Sequence, residues 1–123
     1  MFDLGSAHRY YLYSQPTDMR KSFDALCLVV EMGMQRNPIS GEVFIFINRP
    51  RNRMKLLRWD FGGFILYYKR LEQGTFELPL SAINNSSMVI NWSELVMMVQ
   101  GISLQHIRTR KRFIDKNVLI KNV

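Results

Sequence analysis

Runs of β-branched and aromatic residues mark the segments that are predicted to be extended. Residues 9–13 are rich in tyrosine and are followed by Gln15-Pro16, so they predict a short first strand. Residues 43–47 (VFIFI) contain no polar position. This pattern is typical of a central strand that is covered on both faces.

A hairpin is predicted in the middle of the chain. Residues 54–60 and 64–71 are two strand-like runs separated by Phe61-Gly62-Gly63, and a short connection containing glycine is what a hairpin requires. Residues 88–90 predict one further brief strand after a polar loop.

Apolar residues that recur every three or four positions predict two helices. The first is expected over residues 17–35, because Thr17 suits an N-cap and Asp18 suits the positive end of a helix dipole. The second is expected to begin at Asn91 or Ser93 and to stop at Gly101. The apolar face of the first helix would be formed by Phe23, Leu26, Cys27, Val30 and Met34.

These elements predict an α+β protein with one small domain over residues 1–105. We expect an antiparallel or mixed sheet with a central hairpin, one long helix across a face and a second, shorter helix. A chain of 123 residues is the size of one domain. Residues 106–123 are strongly basic and predict a C-terminal tail or arm.

The charge balance favours a polyanionic partner. Lys and Arg total 17 against 10 Asp and Glu, for a formal charge of +7. A single cysteine, Cys27, excludes an internal disulfide, and neither a signal peptide nor a membrane-spanning run is recognisable, so we expect a cytoplasmic protein without membrane contact. The oligomeric state is left open.

Few residue patterns support catalysis. The two histidines, His8 and His106, lie far apart, no nucleotide-binding glycine motif is present, and we predict neither a metal nor a cofactor. A metal-dependent nuclease remains the less favoured alternative, because one sequence cannot show whether three acidic side chains converge. The candidate carboxylates are Asp18, Asp24, Asp60, Glu72, Glu77 and Glu94.

Cations mixed with aromatic residues are the main positive signal. With residues 61–63 as the loop, Lys55 and Trp59 would share a sheet face with Tyr67 and Lys69, where rings could stack on bases and cations hold phosphates. Ordinary core packing is the alternative for the rings. The predicted nucleic-acid-binding residues are Arg20, Lys21, Arg49, Arg51, Arg53, Lys55, Arg58, Trp59, Tyr67, Lys69, Arg70, Arg108, Arg110, Lys111 and Arg112.

Two segments carry a resemblance to a known family. Residues 17–26 (TDMRKSFDAL) and 69–76 (KRLEQGTF) resemble the signature blocks of the TnpB-type accessory protein, the second open reading frame, of the insertion-sequence family numbered sixty-six. The resemblance covers residues 7–104. The family usually has glycine where this chain has Phe61, and tryptophan where this chain has Leu78.

The resemblance implies a role in transposition, beside a separate and larger transposase. We therefore expect a non-catalytic accessory protein that binds the DNA ends of the insertion sequence, the transposase complex, or both, through the basic hairpin. Other proteins encoded by the element are expected as further partners. A protein-only adaptor that recruits the transposase is the alternative. In the first block, Arg20 and Lys21 would be free to contact a partner or DNA, whereas Phe23 and Leu26 would pack inward.

Overall fold

Five strands form one mixed sheet in the computed structural model, which describes residues 4–79 and 86–101. The strand order is β4-β3-β2-β1-β5. Strands β1 and β2 are parallel, and every other neighbouring pair is antiparallel. The strands are β1 (Tyr10–Tyr13), β2 (Val43–Ile47), β3 (Arg53–Asp60), β4 (Gly63–Arg70) and β5 (Ser87–Ile90).

The central strand is β2, as its uninterrupted apolar run predicted. All five of its residues are buried. Successive side chains of a strand point to opposite faces, so Val43, Ile45 and Ile47 join the core on one side of the sheet. Phe44 and Phe46 join a second core on the other side. Both faces of the sheet are therefore covered.

Helix α2 (Trp92–Gln100) packs on the first of these faces through Leu95 and Met98. The Asn91 side chain accepts the backbone N–H of Glu94, and the Glu94 carboxylate accepts the backbone N–H of Asn91. This capping box satisfies donors that the first helical turn leaves without partners. Gly101 ends the helix at φ 83°, so the predicted cap and stop are both confirmed.

The first helix is shorter than predicted. Helix α1 (Phe23–Leu28) continues only as a π-helical turn (Val29–Gly33), so six and five residues replace the one long helix expected over 17–35. It lies on the second face, with Leu26 and Val30 buried there. Phe23 is 41% exposed, so the expectation that it packs inward is wrong.

Tertiary hydrogen bonds explain the late start of α1. The Thr17 N–H donates to the Ile47 carbonyl at 2.9 Å, which fixes this residue beside the end of β2 instead of at a helix N-cap. The Asp18 carboxylate accepts from the Arg20 backbone N–H and guanidinium. Residues 17–22 are therefore a loop, and the predicted capping roles of Thr17 and Asp18 are wrong.

The predicted hairpin is present, but it lies at an edge of the sheet and its register differs from the expected one. The loop has two residues, Phe61 and Gly62, with φ 38° and 92°, and Asp60 pairs with Gly63. The expected three-residue loop would have placed Trp59 and Tyr67 on one face. They lie on opposite faces because a shift of one residue inverts the face of every side chain.

No helix within the described residues is long and apolar enough to cross a membrane.

Two other expectations, the basic tail and the domain boundary before it, lie wholly or partly outside the described residues. The basic tail over residues 106–123 lies outside the described residues, and the domain boundary at residue 105 stays a prediction.

Candidate nucleic-acid interface

Cations gather at one end of the sheet, where β2 and β4 end and β3 begins. Arg53 opens β3 and pairs with Arg70, the last residue of β4, and the connection from β2 to β3 carries two more arginines. The loop that precedes α1 lies beside this connection. We define the basic end by Arg20, Lys21, Arg49, Arg51, Arg53, Lys69 and Arg70.

The connection over residues 48–52 is held in one conformation by two asparagines. The Asn48 side-chain carbonyl accepts the N–H groups of Asn52 and Arg53, both at 3.0 Å. The Asn48 amide also donates to the Asn52 side-chain oxygen at 2.7 Å. Because side-chain bonds replace ladder bonds here, the loop is fixed relative to the strands that it joins.

Arg51 occupies a left-handed conformation in this loop, with φ 61°. For a residue with a Cβ this conformation costs roughly 1 kcal/mol. It is stabilised on both sides of the residue: the Arg51 N–H donates to the Asn48 carbonyl at 3.0 Å, and the Phe76 N–H donates to the Arg51 carbonyl at 2.7 Å. The Phe76 ring is fully buried.

Both resemblance segments are anchored near this loop. Thr17, in the first, bonds to Ile47, which immediately precedes the loop. Leu71, in the second, donates its N–H to the Asn52 carbonyl at 2.8 Å, and Phe76 bonds to Arg51. The two segments are about fifty residues apart in sequence, and the fold brings them together at the basic end.

Two hollows flank Arg49. An open cleft of about 570 Å³ separates residues 16–19 from the loop, and a smaller hollow of about 190 Å³ lies on the other side. Pro16, Asn48 and Arg49 line both. The larger cleft is also lined by Asp18, Met19, Pro50 and Arg53, so it is mixed in polarity and open to solvent.

Arg49 and Arg51 are the cations best placed to meet a ligand. Both are exposed, and neither guanidinium has a partner within residues 4–79 and 86–101. Arg20 and Arg70 instead form ion pairs with Asp18 and Glu72 at 2.6 and 2.7 Å. Hydrogen bonds from Arg20 lower the pKa of Asp18 to about 2, so this carboxylate stays ionised.

Lys55, predicted as a binding residue, is 5% exposed and has a structural role. Its ammonium donates to the Met19 carbonyl at 2.8 Å and to the Lys21 carbonyl at 2.7 Å. It also lies 4.7 Å from the centre of the Tyr68 ring, which suits a cation–π contact. Lys55 therefore holds the loop that carries Arg20 and Lys21.

Arg58 is also withdrawn from the predicted surface. It is 6% exposed, lies toward the opposite end of β3, and contacts His8 at 2.6 Å and Asp60 at 3.2 Å. Trp59 packs edge-to-face on Phe64, with 4.9 Å between ring centres. With Tyr67 on the other face of the sheet, the expected stacking platform is not formed.

The remaining predicted residues differ in exposure, and four of them lie beyond the part of the chain that the structure describes. Arg53 is half-buried and donates to the Tyr68 hydroxyl at 3.2 Å, whereas Lys21 and Lys69 are exposed. Arg108, Arg110, Lys111 and Arg112 lie outside the described residues.

Sequence reasoning missed the structural importance of Asn48 and Asn52. The available signal was two asparagines on either side of an arginine-rich turn that follows a buried strand.

The candidate carboxylates are mostly engaged elsewhere. Asp18, Asp60 and Glu72 each pair with an arginine. Glu94 belongs to the α2 capping box. In the part of the chain that the structure describes, no three histidine, cysteine, aspartate or glutamate side chains form a group able to hold a metal ion.

The fold and this surface define a small α+β protein with a mixed sheet, helices on both faces and exposed cations at one end. Residues 8–109 match the family described as IS66 Orf2 like protein, and the chain belongs to that family. It is thereby an accessory protein of transposition, associated with the transposition machinery, in a family of accessory proteins and not of enzymes.

Two relatives come from Sinorhizobium fredii. The uncharacterized protein y4hO is 30% identical over 106 residues, which cover 86% of this chain and 90% of the relative. The uncharacterized protein y4jC is 26% identical over 102 residues, which cover 83% and 86%. No solved structure matches the chain significantly.

Proposed function

We propose that this protein is a non-catalytic accessory factor that binds the DNA ends of its insertion sequence through the basic end. Exposure of Arg49 and Arg51 on a rigid loop is the observation that carries the proposal. These two guanidiniums are exposed to water and have no carboxylate partner within the described residues, so they can contact phosphate without first breaking an ion pair there. The preorganised loop lowers the entropy lost on binding.

The chemistry of the surface suits phosphate better than base edges. Arginine offers a planar fork of donors that matches phosphate oxygens. The described part of the basic end presents no aromatic pair on which successive bases would stack, and Trp59 packs on Phe64 beside the hairpin turn, at the other end of β3. We therefore expect backbone contacts that position the protein, with sequence preference arising elsewhere in the complex.

A titration at several salt concentrations tests the proposal. Labelled duplex from the ends of the element would be titrated with wild type, Arg49→Ala and Arg51→Ala and followed by fluorescence anisotropy. Each lost phosphate contact should reduce the slope of log K against log salt by roughly 0.9 and weaken binding by about five- to tenfold at moderate salt.

Arg9→Ala is the matched control. Arg9 is exposed, carries the same charge and immediately precedes β1, at the opposite end of the sheet from the loop. Binding to this variant should change by less than about twofold. Failure of the wild type to bind at low salt, or equal losses for Arg9→Ala and Arg49→Ala, would exclude the basic end as the DNA surface.

The basic tail belongs to the same proposal as a second contact. Replacing Arg110, Lys111 and Arg112 together by alanine should reduce the salt slope further, because a charged arm can follow a phosphate backbone. An unchanged slope in this triple variant would restrict DNA contact to the loop.

A protein-only adaptor is the second candidate, and one surface favours it. Leu28 and Met32 on α1 and its π-helical turn are 57% and 74% exposed, beside the exposed carboxylates of Asp24 and Glu31. Pull-down of the element's transposase after nuclease treatment distinguishes the candidates. Capture lost in Leu28→Ser/Met32→Ser but kept in Arg49→Ala would support the adaptor.

A further inference from the structure

We propose that two copies of the chain associate through strand β4, edge to edge and antiparallel, to form one continuous sheet. Strand β4 is the last strand on one side of the sheet. Within the described residues it pairs only with β3, over eight residues in unbroken register. The other edge strand, β5, has four residues.

The hairpin turn determines which backbone groups of β4 face outward. Positive φ at both Phe61 and Gly62 is the geometry of a type I′ turn, in which the flanking pair, Asp60 and Gly63, exchanges hydrogen bonds. Odd-numbered residues of β4 therefore bond to β3. The Leu71 N–H, which donates to the Asn52 carbonyl, continues this alternation.

Even-numbered residues of β4 consequently direct their N–H and C=O groups away from β3. These residues are Phe64, Leu66, Tyr68 and Arg70. Natural edge strands are usually protected by proline, a bulge, an inward charge or shortness. From Phe64 to Tyr68 this strand has no charge, no proline and no bulge, so its edge is suited to pairing with another strand.

Charge and side-chain pairing favour a second copy in the antiparallel orientation. Lys69 and Arg70 lie at one end of β4, and Asp60 lies beside its other end. Antiparallel pairing keeps the Lys69–Arg70 ends of the two copies apart, whereas parallel pairing would bring these like charges together. A register centred on Leu66 also sets Phe64 against Tyr68 twice, on the same face.

A dimer of this kind would carry two basic ends, one from each copy. Because the two copies run in opposite directions, their Arg49 and Arg51 loops would lie at opposite ends of the joined sheet. Two DNA segments would then be contacted by one dimer, a consequence that depends on the proposed function. The pairing itself does not, so it is tested without DNA.

Light scattering after size exclusion measures the association. Wild type should approach twice the 14.6 kDa chain mass as its concentration rises. Leu66→Pro removes an outward N–H and should give a folded monomer, since proline is tolerated where an edge strand faces away from its neighbour. Leu66→Ala keeps that N–H and should still dimerise. A wild type that stays monomeric at millimolar concentration, or a dimeric Leu66→Pro, would overturn the proposal.

Amide hydrogen exchange of the unaltered protein covers the case in which Leu66→Pro fails to fold. The N–H groups of Ile65 and Lys69 should be protected at every concentration because they bond to β3. Those of Leu66 and Tyr68 should become protected only as the dimer forms. Equal protection of odd and even positions, independent of concentration, would contradict edge pairing.

Discussion

Individual cations in this chain have different roles, and burial separates them. Lys55 and Arg58 are almost fully buried and bond to groups of their own chain. Arg49 and Arg51 are exposed and have no side-chain partner within the described residues. The net charge of +7 therefore overstates the charge available to a ligand.

Lys55 should be essential for the loop over residues 17–22. Lys55→Met keeps the length of the side chain but removes both donors, leaving the Met19 and Lys21 carbonyls without this partner. We expect a loss of about 2 kcal/mol in the free energy of unfolding, typical of hydrogen bonds to a charged group. Trypsin should cut faster after Arg20 and Lys21.

Lys69→Met is the control for this variant. Lys69 is exposed and lies on the neighbouring strand, so its replacement should change stability by less than about 0.5 kcal/mol. Chemical denaturation and the cleavage rate are the two measurements. Equal behaviour of the two variants would show that the buried ammonium does not hold the loop.

Phe61 stores backbone strain in the hairpin turn. It has φ 38° and its side chain is fully exposed. Phe61→Gly should raise the free energy of unfolding by about 1 kcal/mol, because glycine adopts this conformation without the Cβ penalty and no packing is lost. Phe61→Ala keeps the penalty and should show no such gain in thermal unfolding.

At the scale of elements, the sequence predicted those whose signals are local. Strand β2 and the ends of α2 follow from an apolar run and from capping residues adjacent in the chain. Helix α1 was extended wrongly because Thr17 and Asp18 resemble a cap, yet a bond from Thr17 to Ile47 decides their conformation. A contact between residues thirty apart leaves no periodic signal.

An ion pair closes the connection from the π-helical turn to β2. Arg36 donates to Glu42 at 2.9 and 3.0 Å and stacks on the Tyr11 ring at 3.8 Å. Hydrogen bonds from Arg36 lower the pKa of Glu42 below its ordinary value of 4.5. The ion pair between Arg36 and Glu42 therefore contributes its full stability above pH 4.5, and this contribution is lost as pH falls through the lower pKa that Glu42 has in the folded state.

Glu42→Gln should remove this acid dependence. The variant should lose up to about 1 kcal/mol at neutral pH and show a shallower decline than wild type below pH 4.5. Glu31→Gln, on an exposed position of the π-helical turn, should retain the wild-type profile. Parallel profiles of Glu42→Gln and wild type in urea denaturation across pH would contradict the assignment.

For the whole molecule, the fold determines which of the cations in the sequence are exposed to solvent and which are buried. The arginine-rich loop was predicted as a candidate surface from its composition, and Arg49 and Arg51 are exposed there. The loss of Lys55 and Arg58 from that surface was not predictable, because burial depends on the register of β3 and on the loop that covers it. The expected stacking platform is absent because the hairpin loop is one residue shorter than predicted, which places Trp59 and Tyr67 on opposite faces of the sheet.

The central claim is that nucleic acid binds at the basic end, and backbone NMR during titration with duplex DNA locates the contact most directly. Amide shifts should concentrate in residues 17–21 and 48–53, whereas residues 36–42 at the opposite end should change little. Shifts concentrated around residues 36–42, or on the exposed face of α1, with the arginine loop unaffected at low salt, would contradict the account.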